Sequence, residues 1–267
     1  MAGIETSEDS PTGARGGRSS LSGNATDKAL KLLEAASAPG YPHRLGDIAA
    51  AAGVPKASAH RIVNNLVATG FLASDGSGGY GPGPRVRALA ARITQGCEED
   101  QVMRAELEVL GRRIGHTVHM GVRTGDAVTL LVKVSGPNAV QDSSRVGQQL
   151  PLHTTAIGKC VLADLAEEEL TDLVGRLGLP PRTGNSVTDL SALRTELATV
   201  REQGFALDEE ENEPGVRCLA VPVRDAKGGV IGAVNVSTIT FLETREALLG
   251  WVDAVRTTAE GLHGLLG

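Results

Sequence analysis

The stretch IAAAAGVPKASAHRIVNNLVATGFL, residues 48–72, constrains this chain more than any other. Two helical periods meet at Gly53, and Pro55 suits the first turn of the second, where the N–H that proline lacks has no intrahelical use. Gly70 supplies the break after Thr69, so the spacing predicts helices over 45–52 and 55–69. Projected at the helical period, Ala59, Ile62, Val63 and Leu66 share one face and must pack on the preceding helices. Ala57, Arg61, Asn64 and Ala68 centre the opposite face, flanked by Ser58, His60 and Asn65, with Lys56 at the helix start. Arg suits guanine and Asn suits adenine in a major groove, and small alanines let a helix sit deep there. Ala49, four residues before Gly53, lets two helices cross closely, which is helix-turn-helix geometry. The plain alternative is a helical hairpin with a solvated face.

The neighbouring segments favour the DNA reading. TDKALKLLEAASA places Ala29, Leu32, Leu33 and Ala36 on one face of an earlier helix, with Thr26 or Asp27 as its N-cap and Pro39-Gly40 as its stop. FLASDGSGGYGPGP reads as two short extended pieces around a Gly-rich turn, a wing with Arg85 and Arg87 beyond it to rest on the DNA backbone. Residues 21–95 hold eight Lys and Arg against four Asp and Glu, whereas residues 96–267 hold sixteen against twenty-five, so a basic module is joined to an acidic one. A chain of 267 residues suits two domains. The expected division is a disordered tail over 1–21, whose Arg15 and Arg18 can brush phosphates, a winged domain over 22–84, a linker helix over 85–96, and a second domain over 97–267.

In that second domain the period changes. TVHMGVRTGDAVTLLVKV alternates around Thr124-Gly125-Asp126 like a β-hairpin, and VRCLAVPVRDAKGGVIGAVNVSTI reads as two strands around a Lys-Gly-Gly turn. Helical patterns fall at 155–164, 167–176, 190–203 and 243–265. A mixed sheet flanked by helices follows, and the chain as a whole is α+β. With 2% aromatics the cores must be filled by Ala, Val and Leu, and stacking platforms for single-stranded nucleic acid are excluded. No apolar run approaches the roughly 20 residues of a membrane helix, and the first twenty residues hold no apolar segment of the secretory kind, so a cytoplasmic protein without a membrane partner is expected. Cys97, Cys160 and Cys218 form neither a CxxC nor a Cys/His cluster, which argues against disulfides and structural zinc.

In PLHTTAIGKC, the residues Thr154, Thr155, Ala156, Ile157 and Gly158 form a loop entering a helix, where free N–H groups and the helix dipole suit a carboxylate. A small organic acid is the ligand this implies.

The residues also carry a family resemblance. TDKALKLLEAAS and LGDIAAAAGVPKASAHRIVNNLVATGFL are similar to the winged helix-turn-helix of IclR-type bacterial transcription regulators. RVGQQLPLHTTAIGKCVLA, GFALDEEENEPGVRCLAVPVRD and GVIGAVNVST resemble three signature blocks of that family's effector domain, and the likeness spans residues 22–265. It implies a GAF-like effector domain in which Asp208, Cys218, Asn235 and Ser237 line the pocket with the 154–158 loop. Some members carry Ser where this chain has Asn235. It further implies a dimer or tetramer on a roughly palindromic double-stranded operator, repressing until a small organic acid binds, with the 85–96 helix carrying the change between domains.

Two other classes are weighed. Cys218 as nucleophile, His153 as base and Asp208 as orienter would make a thiol hydrolase, but no local nucleophile motif surrounds Cys218 and an enzyme leaves the basic winged module unexplained. A ligand-binding module with only protein partners does not need Arg, His and two Asn on one exposed helical face. The acidic runs at 167–170 and 208–213 read as solvated surface, and His116 and His119, an odd spacing apart on a strand, should point to opposite faces; no metal or cofactor is implied.

Overall fold

A computed structural model of the chain describes residues 24–96, 98–139 and 144–265. The expected tail over 1–21, with Arg15 and Arg18, and Cys97 lie outside the described residues. The chain divides into two compact units, Met1–Gly96 and Cys97–Gly267.

The first unit contains α1 (Ala25–Ser37), β1 (His43–Arg44), α2 (Leu45–Ala51), α3 (Lys56–Ala68), β2 (Leu72–Ser74), β3 (Gly79–Pro82) and α4 (Pro84–Gly96). The cap of α1 is Asn24 rather than Thr26 or Asp27: its side chain accepts the Asp27 N–H at 2.8 Å. Asp27 then stands inside the first turn, where its charge complements the helix dipole. Similarly, α3 begins at Lys56, with Pro55 as the capping residue in extended conformation. Leu32, Ile48, Ile62, Val63 and Leu72 form the buried core with Ala36, Ala49, Val54 and Ala59. Each of the larger aliphatics contributes about 1.5–3 kcal/mol by leaving water.

The turn between α2 and α3 follows from Gly53, whose φ of +62° is the left-handed conformation that a Cβ disfavours. Its N–H donates to the Ala50 carbonyl at 3.1 Å, and the Val54 N–H donates to Ala49 at 2.9 Å. This is a Schellman ending, and it drops Val54 into the core beside the helix it terminates.

The sequence pattern does not show β1, because two residues are too short to display alternation. It pairs antiparallel with β3, His43 opposite Tyr80, giving a sheet of order β1-β3-β2. At the wing tip the Asp75 carboxylate accepts the N–H groups of Ser77 at 2.7 Å and Gly79 at 2.9 Å. Those donors, Gly79 first, hold its carboxyl below the usual carboxylate range.

The second unit contains α5 (Glu98–Ile114), β4 (Thr117–Thr124), β5 (Ala127–Val134), β6 (Gln149–Leu150), α6 (Ala156–Asp164), α7 (Glu167–Leu177), α8 (Leu190–Gln203), β7 (Ala206–Glu209), β8 (Val216–Arg224), β9 (Val230–Ile239), α9 (Arg245–Leu249) and α10 (Val252–Gly261). The sheet order is β6-β5-β4-β9-β8-β7. Every pairing is antiparallel, where the pattern suggests a mixed sheet. The reason is topological: two hairpins, β4–β5 and β8–β9, lie side by side, and the α6–α8 excursion joins opposite edges of the sheet instead of crossing between neighbours.

Alternation along the strands separates two cores. Val118, Met120, Leu219, Val221, Val234 and Val236 face α5 and α10, meeting Met103, Leu107, Leu110 and Val255. Val128, Leu130, Ala220 and Ala233 face α6 and α8, meeting Ile157, Cys160, Val161, Leu193 and Leu197. The β8–β9 turn reuses the wing's chemistry, with Asp225 accepting from Lys227 at 2.8 Å and Gly229 at 2.9 Å.

The single helix expected over 243–265 is broken into α9 and α10. Gly250 weakens the helix at the break, and the Trp251 N–H turns to a tighter bond with Leu248 at 3.1 Å. This brings the Trp251 ring 4.9 Å from that of His116.

Candidate DNA interface and ligand pocket

On α3, Lys56, Ala57, His60, Arg61, Asn64, Asn65 and Ala68 are exposed, while Ala59, Ile62 and Val63 are buried. The amphipathic division is therefore the expected one, except that Ser58 is half-buried at its margin. Asn64 lies 3.4 Å from the His60 ring one turn earlier, so these two side chains hold each other on the outer face. Among the described residues Arg61 has no ion-pair partner, which leaves its planar fork of donors available.

Arg85 and Arg87 are exposed but not loose. The Arg85 guanidinium stacks 4.5 Å from the Phe71 ring centroid and donates to the Thr69 carbonyl at 3.3 Å. Arg87 donates to Pro82 at 3.2 Å and lies 5.6 Å from the centroid of the Tyr41 ring. Arg85 fastens the start of α4 to the segment that ends α3, and Arg87 fastens it to the wing strand β3, which fixes where their charge is presented.

The second unit holds a polar pocket on the α6 face of its sheet, a cavity of about 90 Å³. Strand register builds its floor. His119 on β4 stands opposite Asn235 on β9, Ser237 on β9 opposite Cys218 on β8, and Cys218 opposite Asp208 on β7. Paired residues share a face, and Asn235 and Ser237, two apart on one strand, share it too. A polar row thus crosses four adjacent strands inside an otherwise aliphatic sheet. Hydrogen bonds link much of it: the His119 ring meets Ser144 Oγ at 2.8 Å and Asn235 Nδ2 at 3.3 Å, Asn235 donates to Ser237 at 3.0 Å, and Ser237 lies 3.2 Å from Cys218 Sγ.

The start of α6 covers this row. Thr155, Ala156 and Ile157 line the pocket, but Thr154 and Gly158, placed in the binding loop by sequence, do not. Thr154 is fully buried, 3.3 Å from Asn212 Oδ1. Gly158 gives its N–H to the capping Thr155 hydroxyl at 3.1 Å, and a Cβ there would lie 2.1 Å from the Leu152 carbonyl oxygen. Its role is to let the chain pass closely. The amides of Ala156 and Ile157, at positions without an intrahelical acceptor, remain as donors.

Asp208 is 2% exposed and accepts the Glu211 N–H at 2.8 Å and the Asn212 N–H at 3.3 Å. Burial, which these bonds do not offset, pushes its carboxyl up to about 7, with the Glu211 carboxylate adding to the rise. Glu210, in the left-handed region at φ +62°, turns the next residue inward. There Glu211 and Glu196 flank the fully buried Lys159 of α6, Glu211 at 2.6 Å. Burial alone would lower the Lys159 ammonium, but the two carboxylates outweigh it and hold the group charged.

The thiol-hydrolase trio does not assemble. His153 lines a separate, apolar cavity of about 220 Å³, and its Nε2 lies 3.1 Å from the Pro180 carbonyl oxygen. The Asp208 carboxylate accepts backbone N–H groups instead of orienting a histidine. Cys160 and Cys218 are both buried, and no group of three or more metal-ligating side chains occurs among the described residues. His116 points away from the pocket, 3.0 Å from Glu243.

Comparison with known proteins settles what this pairing of modules is. The family described as IclR helix-turn-helix domain matches residues 25–76, and that described as Bacterial transcriptional regulator IclR C-terminal matches residues 94–263. This chain belongs to the IclR family. The HTH-type transcriptional regulator XynR of Escherichia coli K12 is 34% identical to it over 90% of this chain and 96% of its own. An IclR transcriptional regulator from Alicyclobacillus acidocaldarius matches with a TM-score of 0.79 at 29% identity, covering 91% of this chain and 98% of that one. An IclR homologue from Microbacterium hydrocarbonoxydans, solved in complex with 4-hydroxybenzoate, matches with a TM-score of 0.74 at 26% identity, over 91% and 99%. This IclR-family protein is a DNA-binding transcriptional regulator and not an enzyme. No helix among its described residues is long and apolar enough to cross a membrane.

Sequence reasoning missed His119, Arg182 and Lys159. His119 and Arg182 line the pocket, and Lys159 ties α6 to the loop after β7. The signal for His119 was its parity on β4, but its meaning depends on the distant pairing with β9.

Proposed function

We propose that this regulator represses transcription from a roughly palindromic operator and releases it when a small organic acid enters the polar pocket. The observation that carries the reading is the pocket itself: a polar row beneath the α6 start, closed by Asp208, whose carboxyl burial pushes up to about 7. The amides of Ala156 and Ile157 suit a carboxylate, and a protonated Asp208 donates to the same anion. The cavity holds about three waters, at about 30 Å³ each in the liquid, which fits a compact acid. The acid-bound relative supports the ligand class, and relatives named HTH-type transcriptional repressor AllR support the sign of regulation.

On the DNA side, Arg61, Asn64 and Asn65 read base edges, and Lys56, Ser58, His60, Arg85 and Arg87 hold the backbone. The exposed apolar residues Leu89 and Ile93 on α4, and Val102 and Val109 on α5, support self-association as a dimer or tetramer, which a two-fold operator requires. The test is release: protein bound to a DNA selected from random sequences is challenged with a panel of short acids and their amides. At least one acid should release the DNA while its amide does not. Release by neither class across the panel refutes the acid-effector reading.

A further inference from the structure

The loop between α7 and α8 is stapled onto the segment that follows β7. Thr183 Oγ1 donates to the Glu210 carbonyl at 2.7 Å, Ser186 Oγ to Glu211 at 2.7 Å, and Asn185 Nδ2 to Glu209 at 3.1 Å. Ser186 Oγ also accepts the N–H groups of Arg182 and Thr183, both at 3.0 Å. These bonds fix the root of one side chain, Arg182, whose Nε–H donates to the Asn212 carbonyl at 3.1 Å. Asn212 in turn contacts Thr154, immediately before the cap of α6.

Arg182 lines the polar pocket and is the one Lys or Arg that does so among the described residues. A guanidinium has five N–H donors in a fixed fork, and the bond to Asn212 occupies only Nε. No carboxylate among the described residues pairs with it. A fork held at its base beside unspent helix-start amides is the arrangement that grips a planar carboxylate in bidentate fashion.

The other end of the row is different in kind. The Asn235 amide nitrogen donates to Ser237 and faces His119 Nδ1, which places the imidazole proton on Nε2, toward Ser144. The amide's remaining group, Oδ1, is an acceptor. Asn235 stands two strands from Asp208 and two residues along, about 12 Å at the usual spacings of about 4.8 Å between strands and about 3.4 Å per residue.

We infer that Arg182 selects the effector's carboxylate and that Asn235 accepts a hydroxyl from its opposite end, so the ligand class is a compact hydroxy acid with its two polar groups at opposite ends. The inference rests on the acid-effector reading above.

The test is calorimetric titration of the full-length protein with matched sets: hydroxy acids from three carbons up to 4-hydroxybenzoate, the corresponding acids without hydroxyl, and the hydroxy amides. For an acid that binds, Arg182→Gln should weaken binding at least tenfold while leaving the amide's weaker binding unchanged. Arg182→Lys should restore only part of the loss, because a point charge lacks the fork. Asn235→Ser should reduce the preference for hydroxy acid over the acid without hydroxyl. The urea midpoint of Trp251 fluorescence should be unchanged in Arg182→Gln, whose side chain is at the surface. Equal acid affinity in the wild type and Arg182→Gln would overturn the inference and leave the acid reading intact. Failure of every acid to bind the wild type would overturn both.

Discussion

Replacing Asp208 by Asn should stabilise the effector domain at neutral and alkaline pH, and the size of the gain follows from the structure. In the folded state burial pushes the Asp208 carboxyl from 3.8 to about 7. In the unfolded chain it ionises near its ordinary value. Between those two pH values the native state binds a proton that the unfolded state has lost, so wild-type stability declines as pH rises through this window and levels off above about 7. The difference of about three pH units, at about 1.4 kcal/mol per unit, sets the ceiling near 4 kcal/mol. Asn cannot ionise, and its Oδ1 can keep accepting the N–H groups of Glu211 and Asn212. Asp208→Asn should therefore gain about 4 kcal/mol at pH 8, under about 2 kcal/mol at pH 5, and nothing below pH 4. Urea unfolding followed through Trp251, the chain's one tryptophan, reads this domain selectively. A gain of equal size at pH 5 and pH 8, or a loss at pH 8, would refute the reasoning.

Three further outcomes follow from the same geometry. Lys159→Met should cost about 3–5 kcal/mol in the same assay, because it leaves the buried Glu211 carboxylate beside the half-buried Glu196 without their shared cation; a neutral effect would show that the triad is hydrated. Gly158→Ala should lower the thermal midpoint of the effector domain, at a cost of about 1–3 kcal/mol, since the new Cβ meets the Leu152 carbonyl at 2.1 Å; an unchanged midpoint contradicts the close passage. The affinity for an effector acid should fall as pH rises above 7, by up to about tenfold per unit, because the anion must then bind beside an ionised Asp208; a flat profile from pH 6 to 8 removes Asp208 from the recognition.

The DNA-binding module was largely legible because its signals are local. Gly53, Pro55 and Gly70 punctuate the helices, and the apolar face of α3 can be read off one stretch. What escaped there depended on context: the Asn24 cap competes with equally good caps two and three residues on, and β1 exists only because β3 is beside it. In the second unit the hairpins and three of the helices were visible for the same reason. The pocket was legible only in pieces. Asp208, Cys218, Asn235 and Ser237 entered through family likeness, and their alignment in one row requires the register of β4, β7, β8 and β9, which no local pattern encodes. Arg182, in an irregular loop, carries no periodic signal at all. The break at Gly250 was overlooked because one glycine in a long amphipathic pattern is often tolerated.

The measurement that tests the account most directly is salt-dependent binding of the full-length protein, and of Arg61→Ala, to DNA flanking its own gene and to random DNA of equal length. The account predicts that the wild type prefers the flanking DNA, with affinity falling steeply as salt rises through counterion release. Arg61→Ala should lose that preference, a cost of about 1–3 kcal/mol per base contact, and retain weak, salt-sensitive binding to both DNAs. Undiminished specificity in Arg61→Ala, or a wild type that binds neither DNA at low salt, would contradict the assignment of α3 as the helix that reads the operator.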